Sequence, residues 1–489
     1  MNVSISKQIT LIRVLWLCLA TASFSQTSLT LAEAVEIAAA KSPDIRRARL
    51  NLERSRESLN AQNAALKSQF SLSINPFEYN RARQFNTFFS TWNTSEEKSS
   101  SGTFRISQPI QWTDATLSLI NRFEWRDSFS EFQDERSKTF SNNLYISYAQ
   151  PLFTYNRTRL QLHALELDLE DASLSYALQL LTLEYIVTQN FYDVHRKKLA
   201  YQIAIEEFNN QDQSYQIIKN KVDAGLAAKE ELFQAELNLS TSKSKVQNTK
   251  VDLDNTLDEF KRLIGISLFD EVTVSADVTH QVVEVDLQKA LDNGLEKRME
   301  LRQRNIDIET AMDDLVERSA YNEFRGDFSL SYGIIGTDEQ YQHVYDKPTK
   351  NQQIFLAFEV PLFDWGEKKS RIKAAEASLN TSRLSSEEQR NDIIIGVRQA
   401  YRSLKNLEIQ IDIAQQNVRN AELTYEINLE RYKNGDLTSM DLNLFQTQLS
   451  DSKTGLVQAL TDYKVALLNL KIQSMWDFEK NRQVITEVP

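Results

Sequence analysis

The chain is poor in the residues that punctuate ordinary folds. Its 489 residues include seven prolines, eleven glycines and one cysteine. So few turn formers exclude a string of loop-rich domains of average size. The lone cysteine, Cys18, has no partner for a disulfide within the chain. Basic clusters are missing too: the formal charge is −12, which removes the electrostatic footprint of a nucleic-acid binder. Beyond the N-terminus, no stretch reaches the roughly 18 apolar residues that a membrane-spanning helix requires. If this chain crosses a bilayer, it must do so with strands. The four histidines, His163, His195, His280 and His343, match no metal-ligand spacing, and no phosphate loop or nucleophile motif is present. The carboxylates lie along helical stretches as solvated faces. The reading is therefore of a non-enzyme, with no catalytic residue, metal or cofactor.

The N-terminus has the order of a secretory signal. Lys7 and Arg13 precede the apolar run Val14 to Ala20, and small residues follow up to Ser25. Residues 1–25 are expected to be removed, and Cys18 with them. Leu17 before Cys18 is too large for a lipid-attachment site.

What the chain does have is length without interruption. Phe153 to Ala224 contains neither glycine nor proline, and Glu367 to Asn434 contains only Gly396. At ~1.5 Å per residue each run predicts a helix of roughly 100 Å, far longer than a compact domain shelters. Each is followed by a short glycine-bearing segment, Asp223-Ala224-Gly225-Leu226 or Asn434-Gly435-Asp436-Leu437, and then by a second helical run. Leu232, Leu239, Val246, Leu253 and Phe260 recur at sevens, beside a line of small residues at Ala235, Ser242, Thr249 and Thr256. Leu442, Leu449, Leu456, Tyr463 and Leu470 do the same in the second unit. Sustained sevens mean packing at coiled-coil angles.

Ahead of each rod the period changes from 3.6 to 2. Phe70, Leu72 and Ile74 alternate with serines, as do Phe328, Leu330 and Tyr332. Runs of about nine to eleven residues suit tilted membrane strands. Thr94 to Ser101 and Ser128 to Lys138, being polar, read as loops between strands. Ala32, Val35 and Ala39 predict the packed face of a first short helix capped by Thr30. Val272 to Val282 reads as a strand-like connector.

The whole pattern is duplicated. Pro151 and Pro361 stand 210 residues apart, as do Gly225 and Gly435, whereas Phe70 and Phe328 are 258 apart. The first strand region is therefore 48 residues longer, enough for roughly two more strands. The expected organisation is a first repeat over 26–267 (strands 69–153, helical hairpin 156–264) and a second over 268–478 (strands 326–363, hairpin 366–474). A polar tail over 479–489 closes the chain.

These features together resemble the TolC-like outer-membrane efflux proteins. The match rests on the signal, the duplication, the Pro-Leu-Phe exits, the segment Val360-Pro361-Leu362-Phe363-Asp364-Trp365-Gly366-Glu367, and the two glycine reversals. The resemblance implies an α+β membrane protein: a homotrimer with one transmembrane β-barrel continued by a long α-helical coiled-coil tunnel. It places the protein in the outer membrane of a Gram-negative-type bacterium, extending into the periplasm. There it serves as the passive exit duct of a tripartite efflux or type I secretion system, docked to a periplasmic adaptor and an inner-membrane transporter. Four strands per chain, the family norm, make twelve in the trimer. The 48 extra residues either raise that to eighteen or fold as a hairpin outside the lipid.

By the same resemblance the reversals close the tunnel and receive the adaptor. Val222, Gly225, Leu226, Gly435 and Leu437 fall on the docking tips. Asp441, Tyr432, Arg431, Glu231 and Leu444 fall on the constriction. Leu444 stands where the family often has a second acidic residue, and Leu437 where one form has a latch arginine, so a contact of Asp441 with Tyr432 or Arg431 would have to substitute. The plainer reading of Asp441 and Glu231 is that each favours a helix N-terminus. A secreted structural coiled coil, or an adaptor subunit, would explain the rods but not the strands.

Overall fold

The computed structural model describes residues 27–276 and 281–484. The expected signal segment, His280 and residues 485–489 of the polar tail lie outside them. Two short helices, α1 (Leu31–Lys41) and α2 (Pro43–Ala65), lead into strands β2 (Gln69–Asn86), β3 (Thr91–Ile110), β4 (Ala115–Ser130) and β5 (Glu135–Leu152). The helices α3 (Arg157–Asp223) and α4 (Lys229–Ile264) follow. The order then recurs as α5 (Leu287–Lys297), α6 (Met299–Ser319), β7 (Arg325–Asp338), β8 (Thr349–Glu359), α7 (Glu367–Asn434) and α8 (Ser439–Ser474). Small parallel strands β1 (Thr27–Leu29) and β6 (Val272–Val274) pair with each other, so among the described residues the expected connector is strand at its start. A terminal pair, β9 (Trp476–Asp477) and β10 (Arg482–Gln483), completes the described chain. Among the described residues no helix is long and apolar enough to cross a membrane.

The chain folds as two compact units that cut across the repeat. One comprises Leu50–Leu174 and Met299–Gln389. Its centre is a six-stranded antiparallel sheet in the order β2-β3-β4-β5-β7-β8, four strands from the first half of the chain and two from the second. Directly paired residues share a face. One face reads Phe70, Leu72 and Ile74 on β2, Phe104 and Ile106 on β3, and Leu119 and Phe123 on β4. It continues through Leu144 and Ile146 on β5, Leu330 and Tyr332 on β7, and Ile354 and Leu356 on β8. The opposite face is mainly serine, threonine, asparagine and charged residues.

Two expectations about the strands need correction. They run to 18, 20, 16, 18, 14 and 11 residues, mostly longer than expected. Thr94–Ser101 is strand, not loop, and of 128–138 only the middle turns. These ends carry polar residues on both faces because they lie beyond the apolar band, so alternation vanishes while the backbone ladder continues. Where the sheet meets the helices, Asn156 donates to the Gln111 carbonyl at 2.6 Å, and Thr158 bonds Asp114. On the helices, Arg302 bridges Glu170 and Glu309 at 2.6 Å; its guanidinium holds the Glu170 carboxyl below its usual range.

The other unit takes the remaining halves of α3 and α7 together with α1, α4, α5 and α8. Here α1 lies close on α4, and α5 close on α8. Each short helix presents a pair of small buried residues, Ala34 with Ala38 and Ala290 with Gly294, and small side chains let the backbones approach. The buried face of α1 is thus Ala34 and Ala38, one step round from the expected Ala32, Val35 and Ala39. Thr30 caps α1 in a reciprocal box with Glu33.

Candidate constriction and docking tips

The two helix reversals are built alike. At the end of α3, Gly225 N–H donates to Val222 O at 3.0 Å and Leu226 N–H to Lys221 O at 2.8 Å. At the end of α7, Gly435 N–H donates to Tyr432 O at 3.2 Å and Asp436 N–H to Arg431 O at 2.9 Å. This paired 6→1 and 5→2 pattern is the Schellman cap, which needs a left-handed residue. Gly225 and Gly435 supply it, with φ of +74° and +91°. A Cβ at either would meet nothing within 4 Å, so glycine is required there by backbone conformation and not by space.

The restart differs between the tips. Thr438 caps α8: its hydroxyl accepts from Asp441 N–H at 3.2 Å and donates to the Asp441 carboxylate at 2.7 Å. Ala228 caps α4 with no side-chain bond, leaving Glu231 in the first turn as a carboxylate facing the helix dipole. Asp441 thus serves the helix N-terminus, as its sequence position suggested, and its carboxylate is solvent-exposed.

The other candidate residues divide by burial. Tyr432 is 1% exposed and packs in a core with Ile218, Ala235, Tyr425, Leu442 and Leu449. Its hydroxyl donates to Ser214 O at 3.3 Å, and Lys221 Nζ donates to its carbonyl at 2.6 Å while lying 5.2 Å from the ring centroid. Burial pushes the phenol up to about 12, so it stays protonated far beyond neutral pH. Arg431 donates to Asn428 at 3.2 Å. Within one chain Asp441 bonds Thr438, Tyr432 bonds Ser214 and Arg431 bonds Asn428, so the expected contact of Asp441 with Tyr432 or Arg431 is not made inside the chain. Tyr432 braces the hairpin pair from within.

Leu226, Met440 and Leu444 stand out at the tips, 79%, 72% and 63% exposed. Val222 and Leu437 are half-buried against the Tyr432 core. A leucine after a Schellman glycine usually packs back on its own helix; Leu226 does not, which leaves it available to a partner.

Sequence reasoning missed the polar ladder that joins the hairpins behind the tips. Gln211 donates to Asn443 at 2.6 Å, Gln446 to Glu207 O at 2.8 Å, and Lys245 pairs with Glu207 at 2.7 Å. The signal was available as polar residues at core heptad positions, which fix register. The histidines are dispersed: His163 bonds Asp313 at 2.7 Å, His343 bonds Asp346 at 2.6 Å, and His195 is buried and held neutral by desolvation.

Comparison with known proteins gives a consistent outcome. Residues 324–472 match the family described as outer membrane efflux protein. The Campylobacter jejuni CmeC outer membrane channel is similar at a TM-score of 0.70 and 15% identity, covering 94% of this chain and 87% of that one. A membrane protein from Pseudomonas aeruginosa is similar at a TM-score of 0.70 and 12% identity, with coverages of 95% and 94%. The outer membrane protein VceC of Vibrio cholerae follows at a TM-score of 0.68 and 13% identity, with coverages of 91% and 95%. No curated protein sequence matches the chain.

Proposed function

We propose, from the match of residues 324–472 to the outer membrane efflux protein family, that three copies of this chain form the exit duct of a tripartite export system. The channel is not an enzyme. It lies in the outer membrane and extends into the periplasm. The observation that carries the trimer is the sheet. Its six strands have one continuous apolar face, yet β2 and β8 are open edges, and lipid does not tolerate an unpaired ladder. Other copies of the chain complete it.

The helices support the same assembly. A helix in the wall of a tube needs an apolar seam for each neighbour. Ile409, Ile413, Leu423 and Ile427 on α7 form a second seam that remains exposed, as do Phe233, Leu237 and Val251 on α4. Burying them against sister chains removes apolar surface at about 25 cal/mol per Å².

The tips are the proposed gate and docking ends. Three copies bring three Asp441 carboxylates and three Leu444 side chains around one axis, and a ring of like charge in a narrow passage enriches counter-ions. Exposed Leu226 and Met440 supply apolar anchors for a periplasmic adaptor, with Val222, Leu437 and the glycine turns shaping the surface. The energy for export comes from the inner-membrane transporter reached through that adaptor. In planar bilayers the purified protein should give discrete conductance steps with a cation preference, and Asp441→Asn should lower that preference severalfold. Unchanged selectivity removes Asp441 from the constriction, and the absence of any conductance removes the channel.

A further inference from the structure

We propose that the membrane wall of this channel is an eighteen-stranded barrel, closed at three identical junctions between β8 of one copy and β2 of the next. The inference rests on the trimeric reading above and goes beyond the twelve strands that the family resemblance implies.

The first observation is where the extra strands sit. The Phe70-Leu72-Ile74 pattern of β2 corresponds to Phe328-Leu330-Tyr332 of β7, and the Pro-Leu-Phe exit of β5 corresponds to that of β8. The inserted pair is therefore β3 and β4. They are not an appended hairpin: β3 bonds β2 from Gln69↔Ser107 to Asn86↔Thr91, and β4 bonds β5 from Thr116↔Ala149 to Ser130↔Glu135. They stand between β2 and β5, in the middle of the sheet. Expelling them to solvent would break both of these ladders along their whole length.

The second observation is that the inserted strands have the two faces of a barrel wall. Phe104, Leu119, Phe123 and Trp125 continue the apolar band of β5, β7 and β8. The reverse face carries Arg105, Arg122, Glu124 and Arg126, with Arg126 bonded to Glu124 at 2.6 Å. Those charges are tolerable toward a water-filled lumen and costly toward lipid.

Third, the two edges fit each other. An even number of antiparallel strands leaves β2 and β8 running in opposite directions, as closure requires. Phe70, Leu72 and Ile74 on one edge and Ile354, Leu356 and Phe358 on the other are all exposed, so joining them continues the band without a gap. Before its irregularity at Asn75/Glu78, β2 carries no proline or charge to block pairing, and β8 has no proline. With strands ~4.8 Å apart and tilted by about 40°, eighteen strands give a backbone radius of roughly 18 Å, against roughly 12 Å for twelve.

Paired cysteines in the full-length chain test the junction. Ser71→Cys on the lumen face of β2 is combined in turn with Gln353→Cys, Phe355→Cys and Ala357→Cys on the lumen face of β8. The discriminating variant combines Ser71→Cys with Ser147→Cys on the same face of β5, two positions kept apart by β3 and β4 in the six-stranded sheet and brought together only if those strands leave the wall. Oxidised outer membranes should yield reducible covalent trimers from at least one pair of Ser71 with β8, and no link within a chain from the Ser71 and Ser147 pair. A complex of trimeric native mass in which the Ser71 and Ser147 pair links, or in which no pair of Ser71 with β8 links, overturns the eighteen-stranded wall and leaves the trimer standing. A native mass of one chain removes both.

Discussion

A valine at Gly333 should remove most folded trimer from the outer membrane. Gly333 lies on β7 directly opposite Tyr145 of β5. A Cβ there would fall 2.7 Å from the Tyr145 Cα and closer still to the Leu144 carbonyl and the Tyr145 Cβ. These are largely backbone atoms of the neighbouring strand, so no flexible side chain can swing aside. Overpacking ordinarily costs about 1–3 kcal/mol; here relief requires the β5–β7 ladder itself to part, and in lipid its freed groups find no water. Gly102 on β3 is the control, since a Cβ there meets nothing within 4 Å and points to the apolar face. Gly102→Val should assemble normally. The check is the amount of heat-modifiable trimer in outer-membrane fractions; equal yields from both variants would contradict the packing argument.

Tyr432→Ala should loosen the constriction and raise single-channel conductance severalfold. The ring is among the largest fully buried side chains, and truncating a buried aromatic to alanine costs about 3–5 kcal/mol. That loss falls on the contact between the two hairpins at the tips, where Tyr432 touches Ser214 and Lys221. Tyr432→Phe keeps the ring and loses one hydrogen bond, worth about 0.5–1.5 kcal/mol, so its conductance should stay near that of the parent. Protease nicking near Gly225 and Gly435 should follow the same order. If alanine and phenylalanine behave alike, the aromatic packing does not hold the tips.

How much of this was legible in the sequence depends on what each signal physically reports. Heptads report burial between helices. Leu442, Leu449, Tyr463 and Leu470 accordingly lie in the cores where spacing put them. In α4 the same signal misleads about depth: Ala235 and Ser242 of the small-residue line are buried, whereas Leu232 and Leu239 are only half-buried. Leucines at that seam are expected to wait for a sister chain, and one sequence cannot say which seam is internal. Alternation reports a sheet with one dry face. It therefore found Phe70-Leu72-Ile74 and missed Thr94–Ser101, whose side chains are polar on both faces.

The reversals were legible as glycine positions because left-handed caps leave few alternatives. Their chemistry was not. The partner of Lys221 lies 211 residues away on the backbone of Tyr432, and the engagement of Asp441 by Thr438 depends on where α8 begins. The burial of Tyr432 was not legible either, because it depends on the packing of one hairpin against the other.

The central claim is that sister chains close one hollow duct around a common axis. Electron microscopy of the detergent-extracted full-length protein, viewed along that axis, tests it most directly. A three-fold ring with an open centre through both barrel and helical tube is the predicted image. A solid bundle, or single chains without a central passage, would contradict it.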